Sequence, residues 1–383
     1  MRRPLLVFIG LVAMLALACA GGEGDEELGR ASPTTAKEPS ARGVPMFRGN
    51  PARTGVNPGP GVERSPKLLW QFEAGSWILS SPAVVEGIVY IGSDHGYVYA
   101  LDAATGEERW HFETGGLLWS SPAVADGVVY VGSYDGYVYA LDAEEGEEQW
   151  SFKTGHWVWA SPAVVKGVVY VGSMDGHVYA LDATTGKERW RFKTAGSVPS
   201  SPAVVNGTVY VGGGHYAYSL DAATGEERWH FETGGLLWSS PAVADGVLYI
   251  GSGDGGLYAL DAATGEDHWR FKTGDVVRSS PAIADGVVYV GSFDNYIYAV
   301  EAATGEERWR VRTGDLLFSS PAVVDAVVYV GSNDNYAYAL DAATGEERWR
   351  FETSGAVDSS PAVAGGVVWV GSWDGYVYAI TEG

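Results

Sequence analysis

The 383-residue sequence predicts an all-β protein: an eight-bladed β-propeller of four-stranded antiparallel blades, closed by an N-terminal strand that completes the last blade. The tripeptide Ser-Ser-Pro or Ala-Ser-Pro recurs eight times, ending at Pro82, Pro122, Pro162, Pro202, Pro241, Pro281, Pro321 and Pro361. The step is 40 residues, with one step of 39. Each period is rich in β-branched and aromatic residues and punctuated by turn dipeptides, the pattern of a propeller blade. The chain also stops one strand short of a full period, and the missing strand stands ahead of the first repeat.

Each element follows from the first copy. Pro82-Ala83-Val84-Val85 reads as a short apolar strand, with Pro at its start where a missing donor does least harm. Glu86-Gly87 is a tight-hairpin dipeptide, repeated as Asp, Lys, Asn or Gly followed by Gly in the other copies. Asp325-Ala326 breaks that rule and predicts a strained turn. Ile88–Ile91 is the second strand and Gly92–Gly96 a turn; Tyr97–Leu101 is the third strand and Asp102–Glu107 a turn; Arg109–Phe112 is the fourth strand. The chain finishes in a third strand, Tyr376–Ile380, and Lys67–Phe72 has the pattern of the fourth. Pairing the two closes the ring and leaves only short outer edges.

Residues ahead of the repeats have another character. Arg2 and Arg3 followed by the apolar run Leu5–Leu17 read as a secretory signal over residues 1–18. Cys19, the only cysteine, follows at once, and Ala16-Leu17-Ala18-Cys19 resembles a bacterial lipobox. That resemblance implies lipidation at Cys19. It places the protein across the inner membrane, anchored at the outer membrane, in the periplasm or on the cell surface, and Ala20 in place of Asp permits outer-membrane sorting. Residues 19–42 carry almost no large apolar side chain and read as a disordered tether. The propeller is assigned residues 43–383. A net charge of −23 argues against a nucleic-acid partner and against direct contact with anionic lipid.

The third turn carries a family resemblance. Ala100-Leu101-Asp102-Ala103-Ala104-Thr105-Gly106-Glu107-Glu108-Arg109-Trp110 is similar to the tryptophan-docking motif of the PQQ-like β-propeller repeat family. Its copies end at Trp110, Trp150, Trp190, Trp229, Trp269, Trp309 and Trp349, with departures at Glu145, Ser219 and Glu301. In this motif Asp caps the turn, Gly takes the left-handed position and Trp packs on the neighbouring blade. The lead-in Met46–Gly55 also resembles that of secreted relatives. Signal, tether and eight blades together resemble BamB-type lipoproteins of outer-membrane β-barrel assembly.

The resemblance implies a scaffold more than a cofactor site. Alcohol-oxidising relatives hold PQQ between a Trp and a vicinal disulfide, with Ca²⁺ on Glu, Asn and Asp. A lone Cys19 cannot form that disulfide, so no cofactor and no catalytic or metal residue is assigned. The alternative is a PQQ- and calcium-dependent alcohol or sugar dehydrogenase, with Trp373 or Trp238 stacking the quinone and Asp358 or Asp94 as base or ligand. The G-x-G-x-x-G match at Gly251–Gly256 precedes a strand and reads as a turn. The recurring serines are structural, since a nucleophile is needed once.

Positions where the repeats disagree are the candidates for function. Three residues before each proline stand Leu79, Trp119, Trp159, Pro199, Trp238, Arg278, Phe318 and Asp358. The second turn varies as Asp94, Tyr134, Met174, Gly214, Gly253, Phe293, Asn333 and Trp373. Both sets are expected at one channel mouth. Trp119, Trp159, Trp238, Phe318, Tyr134, Phe293, Trp373, Arg278 and Asp358 form the predicted site for a protein or envelope ligand, with Trp77 and Trp157 nearby. Large aromatics with a few charges suit recognition. The competing reading is that the rings plug the funnel. The protein is expected to be a monomeric, non-catalytic propeller.

Overall fold

The computed structural model describes residues 43–383 and folds them into eight four-stranded sheets, seven of them in sequential strand order. The predicted signal, Cys19 and tether lie outside the described residues. In the first blade Ala83–Val85 is innermost, Ile88–Gly92 and Tyr97–Asp102 follow, and Glu108–Glu113 is the outer edge. The eighth blade is composite: Pro66–Glu73 pairs antiparallel with Tyr376–Glu382, placing Lys67 opposite Thr381 and Phe72 opposite Val377. The expected closure is therefore present.

The first hairpin of each blade has both central residues at positive φ, as in Glu86 (51°) and Gly87 (79°). That backbone matches the twist of the strands it joins. In the seventh blade Ala326 is held in this region at φ 60° beside Asp325 at 48°, so the strained turn is real.

The core lies between blades. Val89 and Ile91 of one blade pack with Tyr99 and Leu101, against Ala362, Val377 and Ala379 of the preceding blade. The next seam repeats the arrangement with Val98, Ala100, Val129 and Val131. Each fully buried aliphatic side chain contributes roughly 1.5–3 kcal/mol, so stability is distributed over eight similar seams. The docking tryptophans fix the outer end of each seam. The indole N–H of Trp110 donates to the Ala143 carbonyl of the next blade at 3.1 Å, and Trp150 to Ala183 at 2.9 Å. Trp349 finds Val62, just ahead of the closing strand, at 2.8 Å. A Cβ on Gly146 would stand 2.6 Å from the Trp110 ring, so the motif's glycine is needed for close approach as well as for its φ of 75°.

The second serine of every repeat builds a closed circle. Its N–H donates to the Oγ of the corresponding serine in the next blade, from Ser81 to Ser121 (2.9 Å) round to Ser360 to Ser81 (2.9 Å).

The lead-in has a role that the sequence did not disclose. Residues 44–57 wind inside the ring and cap the exposed edges of the inner strands. The carbonyls of Val44, Pro45, Pro51, Ala52, Thr54 and Gly55 accept from the N–H groups of Val84, Val124, Val204, Val243, Ile283 and Val323. Asn57 Oδ1 accepts from Val363 N–H. Arg53 reaches the third and fourth blades, donating to the carbonyls of Ser161, Pro162 and Pro202. The segment leaves over the first hairpins of the last two blades, where Pro60 accepts from Gly366 and Gly61 donates to Asp325. It forms a floor to the channel.

Candidate binding site at the channel mouth

Opposite the floor, two loops of each blade are tied together. The N–H of the variable second-turn residue donates to the carbonyl of the residue five before the repeat proline. Asp94 meets Trp77 at 2.8 Å, Tyr134 meets Leu117 at 3.0 Å, Met174 meets Trp157 at 2.8 Å and Trp373 meets Ala356 at 2.9 Å. The same bond recurs in the other four blades. Both variable sets therefore ring one mouth.

The predicted aromatics meet there and pack on each other. Trp119 lies 5.0 Å from Tyr134 and 5.1 Å from Trp159 between ring centroids. Trp159 stacks on Tyr134 at 5.3 Å and on Trp238 at 5.6 Å, across the gap left by Pro199. Phe293 and Phe318 are 4.4 Å apart, and Trp373 stacks on Trp77 at 4.9 Å. Trp119 also donates to Asp94 at 2.8 Å. Offset and tilted ring pairs of this kind each add about 0.5–1.5 kcal/mol beyond area burial. The inner wall of the mouth is thus a preassembled aromatic lining.

Arg278 sits in this lining with its guanidinium carbon 4.5 Å from the Trp238 centroid and 4.9 Å from that of Phe318. Phe293 is 5.9 Å away. Burial lowers its pKa, against the pull of Asp358 and Tyr134. Asp358 is its acidic counterpart: burial raises that carboxyl to about 7, while the Trp373 indole and Arg278 hold it down. The guanidinium makes no hydrogen bond or ion pair among the described residues, and its flanks are held by ring faces. Buried atoms of Tyr134 (Oη), Trp159 (Nε1), Asn333 (Oδ1), Asp358 (Oδ1) and Trp373 (Nε1) also lack a partner of good geometry. Such orphaned groups cost about 1–3 kcal/mol each when left unmade.

Above the lining stands a crest. Seven large apolar residues are exposed among the described ones, and four of them share the repeat position five before the proline. They are Trp77 (49 % exposed), Leu117 (38 %), Trp157 (42 %) and Leu236 (46 %). Sequence reasoning noted Trp77 and Trp157 and missed Leu117 and Leu236. Reading that column through all repeats, including Val276 and Leu316, would have found them.

The lining is already packed where a stacked quinone would lie on Trp238. Trp238 is packed by Trp159 and Arg278 and Trp373 is stacked on Trp77, so a quinone lying on Trp238 would have to displace contacts already made. Among the described residues, no cluster of three or more His, Cys, Asp or Glu side chains suited to a metal ion stands beside Asp358.

Known proteins resemble the chain in sequence and in shape. A family profile described as outer membrane protein assembly factor BamB matches residues 62–161, 153–235, 213–317 and 293–383. No curated protein matches. Among solved structures, BamB from Moraxella catarrhalis is similar at TM-score 0.72 and 21 % identity, over 82 % of this chain and 99 % of its own. A europium-containing methanol dehydrogenase is similar at 0.79 and 16 %, over 90 % and 98 %. The quinohemoprotein alcohol dehydrogenase from Comamonas testosteroni is similar at 0.79 and 18 %, over 89 % and 80 %. At these identities the structural likeness is one of fold.

Proposed function

This chain belongs to the PQQ-like propeller repeat family described as outer membrane protein assembly factor BamB, and on that premise we propose that it is a non-catalytic binding scaffold of the bacterial envelope. In this reading the precursor is exported, lipidated at Cys19 and held at the outer membrane or cell surface by its tether. The monomeric propeller then docks a protein partner on the mouth, in its most concrete form as an assembly factor for outer-membrane proteins.

The observation that carries this reading is the crest. Trp77, Leu117, Trp157 and Leu236 expose apolar surface at equivalent positions on a rigid ring, beside a prebuilt aromatic wall. Rigid, exposed apolar and aromatic side chains bind with little ordering cost. Nothing in the fold requires them to be apolar: the equivalent residue in the fourth blade is Ser197.

A photo-crosslinking residue placed at 157 or 236 in the full chain tests the docking face, with position 149 on an outer strand as control. Both mouth positions are expected to capture the same envelope protein in living cells and position 149 to capture none. Replacing Trp77, Leu117, Trp157 and Leu236 with Ser should abolish capture while the ring stays cooperatively folded, with a melting temperature lowered only by the loss of the Trp77–Trp373 and Trp157–Tyr134 stacks. Capture from position 149 alone, or capture that survives the four substitutions, overturns the reading.

A further inference from the structure

The floor of the channel holds two buried cations with nothing acidic beside them. Arg53 is fully buried and Arg48 is 5 % exposed. Their partners are all main-chain carbonyls: Phe47, Ser161, Pro162 and Pro202 for Arg53, Pro281 and Pro321 for Arg48. No carboxylate pairs with either among the described residues. Burial lowers both to about 9, and Arg53 further lowers Arg48, so the two charges feel each other and still remain protonated at neutral pH. Buried charges are ordinarily paired, because carbonyl dipoles offset only part of the lost hydration.

The geometry around Arg48 provides a place for the missing charge. Its Nε–H is buried without a partner. A small cavity with room for about one water-sized sphere is lined by Arg48, Asn57, Ser81, Ser320 and Ser360 among others, and a chloride, slightly larger, enters with a small outward shift of these side chains. The three serine hydroxyls each accept a main-chain N–H within the serine circle and donate to no protein acceptor among the described residues. Their O–H groups are therefore free to turn inward. Asn57 donates one amide hydrogen to the Gly55 carbonyl and has a second to offer.

We propose that this cavity is a halide site, a chloride ion held by Arg48 Nε–H and the hydroxyls of Ser81, Ser320 and Ser360. Water could accept from the same donors, but it leaves the charge of two guanidiniums unanswered, and that charge selects an anion. The cavity's size excludes sulfate and phosphate. Because the lead-in is stitched to the ring at this point, the ion acts as a rivet between the strap and blades seven, eight and one.

Crystals of the full chain grown or soaked in sodium bromide and measured at the bromine absorption edge test this directly. The expected result is one anomalous peak in the cavity within contact distance of Arg48 Nε. The double variant Ser320→Ala/Ser360→Ala, which keeps the fold's apolar seams intact, should reduce the peak at least severalfold. Ordinary water density with no anomalous signal overturns the proposal. In solution, the melting temperature should rise with sodium chloride or bromide relative to sodium gluconate at equal ionic strength, and the double variant should lose that difference. Equal shifts in halide and gluconate overturn it as well.

Discussion

The two ends of the channel use the same side chain in opposite ways. At the floor, Arg53 has its donors consumed by four main-chain carbonyls at 2.6–3.1 Å and no exposed surface. At the mouth, Arg278 rests between Trp238 and Phe318 and donates to no group among the described residues. A guanidinium whose donors are used holds chain segments in place. One whose donors are free and whose flanks are aromatic is available to something else. The same contrast holds for the surroundings: the floor is formed by a strap bonded to nearly every inner strand, whereas the mouth is formed by side chains that vary from blade to blade.

Paired substitutions sharpen that contrast most. Arg53→Met strands four main-chain carbonyls, three of them in buried bonds, each worth about 1–3 kcal/mol when unpaired, and even with the relief of removing a buried charge should cost on the order of 5 kcal/mol in urea unfolding. Arg278→Met removes cation–π contacts worth about 0.5–2 kcal/mol but relieves the cost of burying a charge, and should change stability by less than about 1 kcal/mol. Similar losses from the two variants would break the distinction between a structural floor and an available mouth.

Asp358 gives the next largest effect, through pH. Its folded pKa of about 7 lies above the ordinary 3.8, because burial disfavours the carboxylate. Between those values the native state keeps a proton that the unfolded chain releases, so this group's contribution is fully present below about pH 4 and is lost as pH rises through 7. At about 1.4 kcal/mol per pH unit the ceiling is on the order of 4 kcal/mol. Urea unfolding at pH 4.5 and pH 8 should show the wild type losing more stability over this range than Asp358→Asn. Parallel profiles would mean that the mouth is wet enough to solvate the carboxylate.

Much of the architecture was legible because repetition supplies its own control. Eight prolines at a constant step, a Gly in each hairpin and a missing last strand matched by Lys67–Phe72 leave little freedom in blade count or closure. Strand ends moved by only a residue, as with Glu108–Glu113 against Arg109–Phe112. The mouth was legible as a set of positions, because variation stands out against identity. How the rings pack was not: Trp159 stacks on Trp238 two blades away only because Pro199 intervenes, a relation absent from any one-blade pattern. The floor was illegible for a related reason. Met46–Gly55 has no second copy in the chain, and its bonds join it to residues as far as 273 positions away. Its arginines would pass for surface cations in sequence.

The smallest effect lies at the floor's exit and distinguishes strain from design. Ala326 occupies φ 60° where six sister hairpins have Asp, Glu, Lys or Asn followed by Gly, and the eighth has Gly365-Gly366. A left-handed alanine costs about 1–2 kcal/mol, part of which glycine forfeits by its greater freedom when unfolded. Ala326→Gly should therefore stabilise the ring by about 0.5–1 kcal/mol. The neighbouring strap sets the condition for that result. Asp325 accepts from Gly61 N–H, and Gly59 has no room for a Cβ beside the same carboxylate. If the hairpin is merely strained, glycine relaxes it and the melting temperature rises by a degree or two. If Ala326 instead holds Asp325 against the strap, the added freedom loosens that contact and the gain disappears. Measuring Ala326→Gly alone and with Asp325→Asn separates the two, because only a strap contact makes the effects of the pair non-additive.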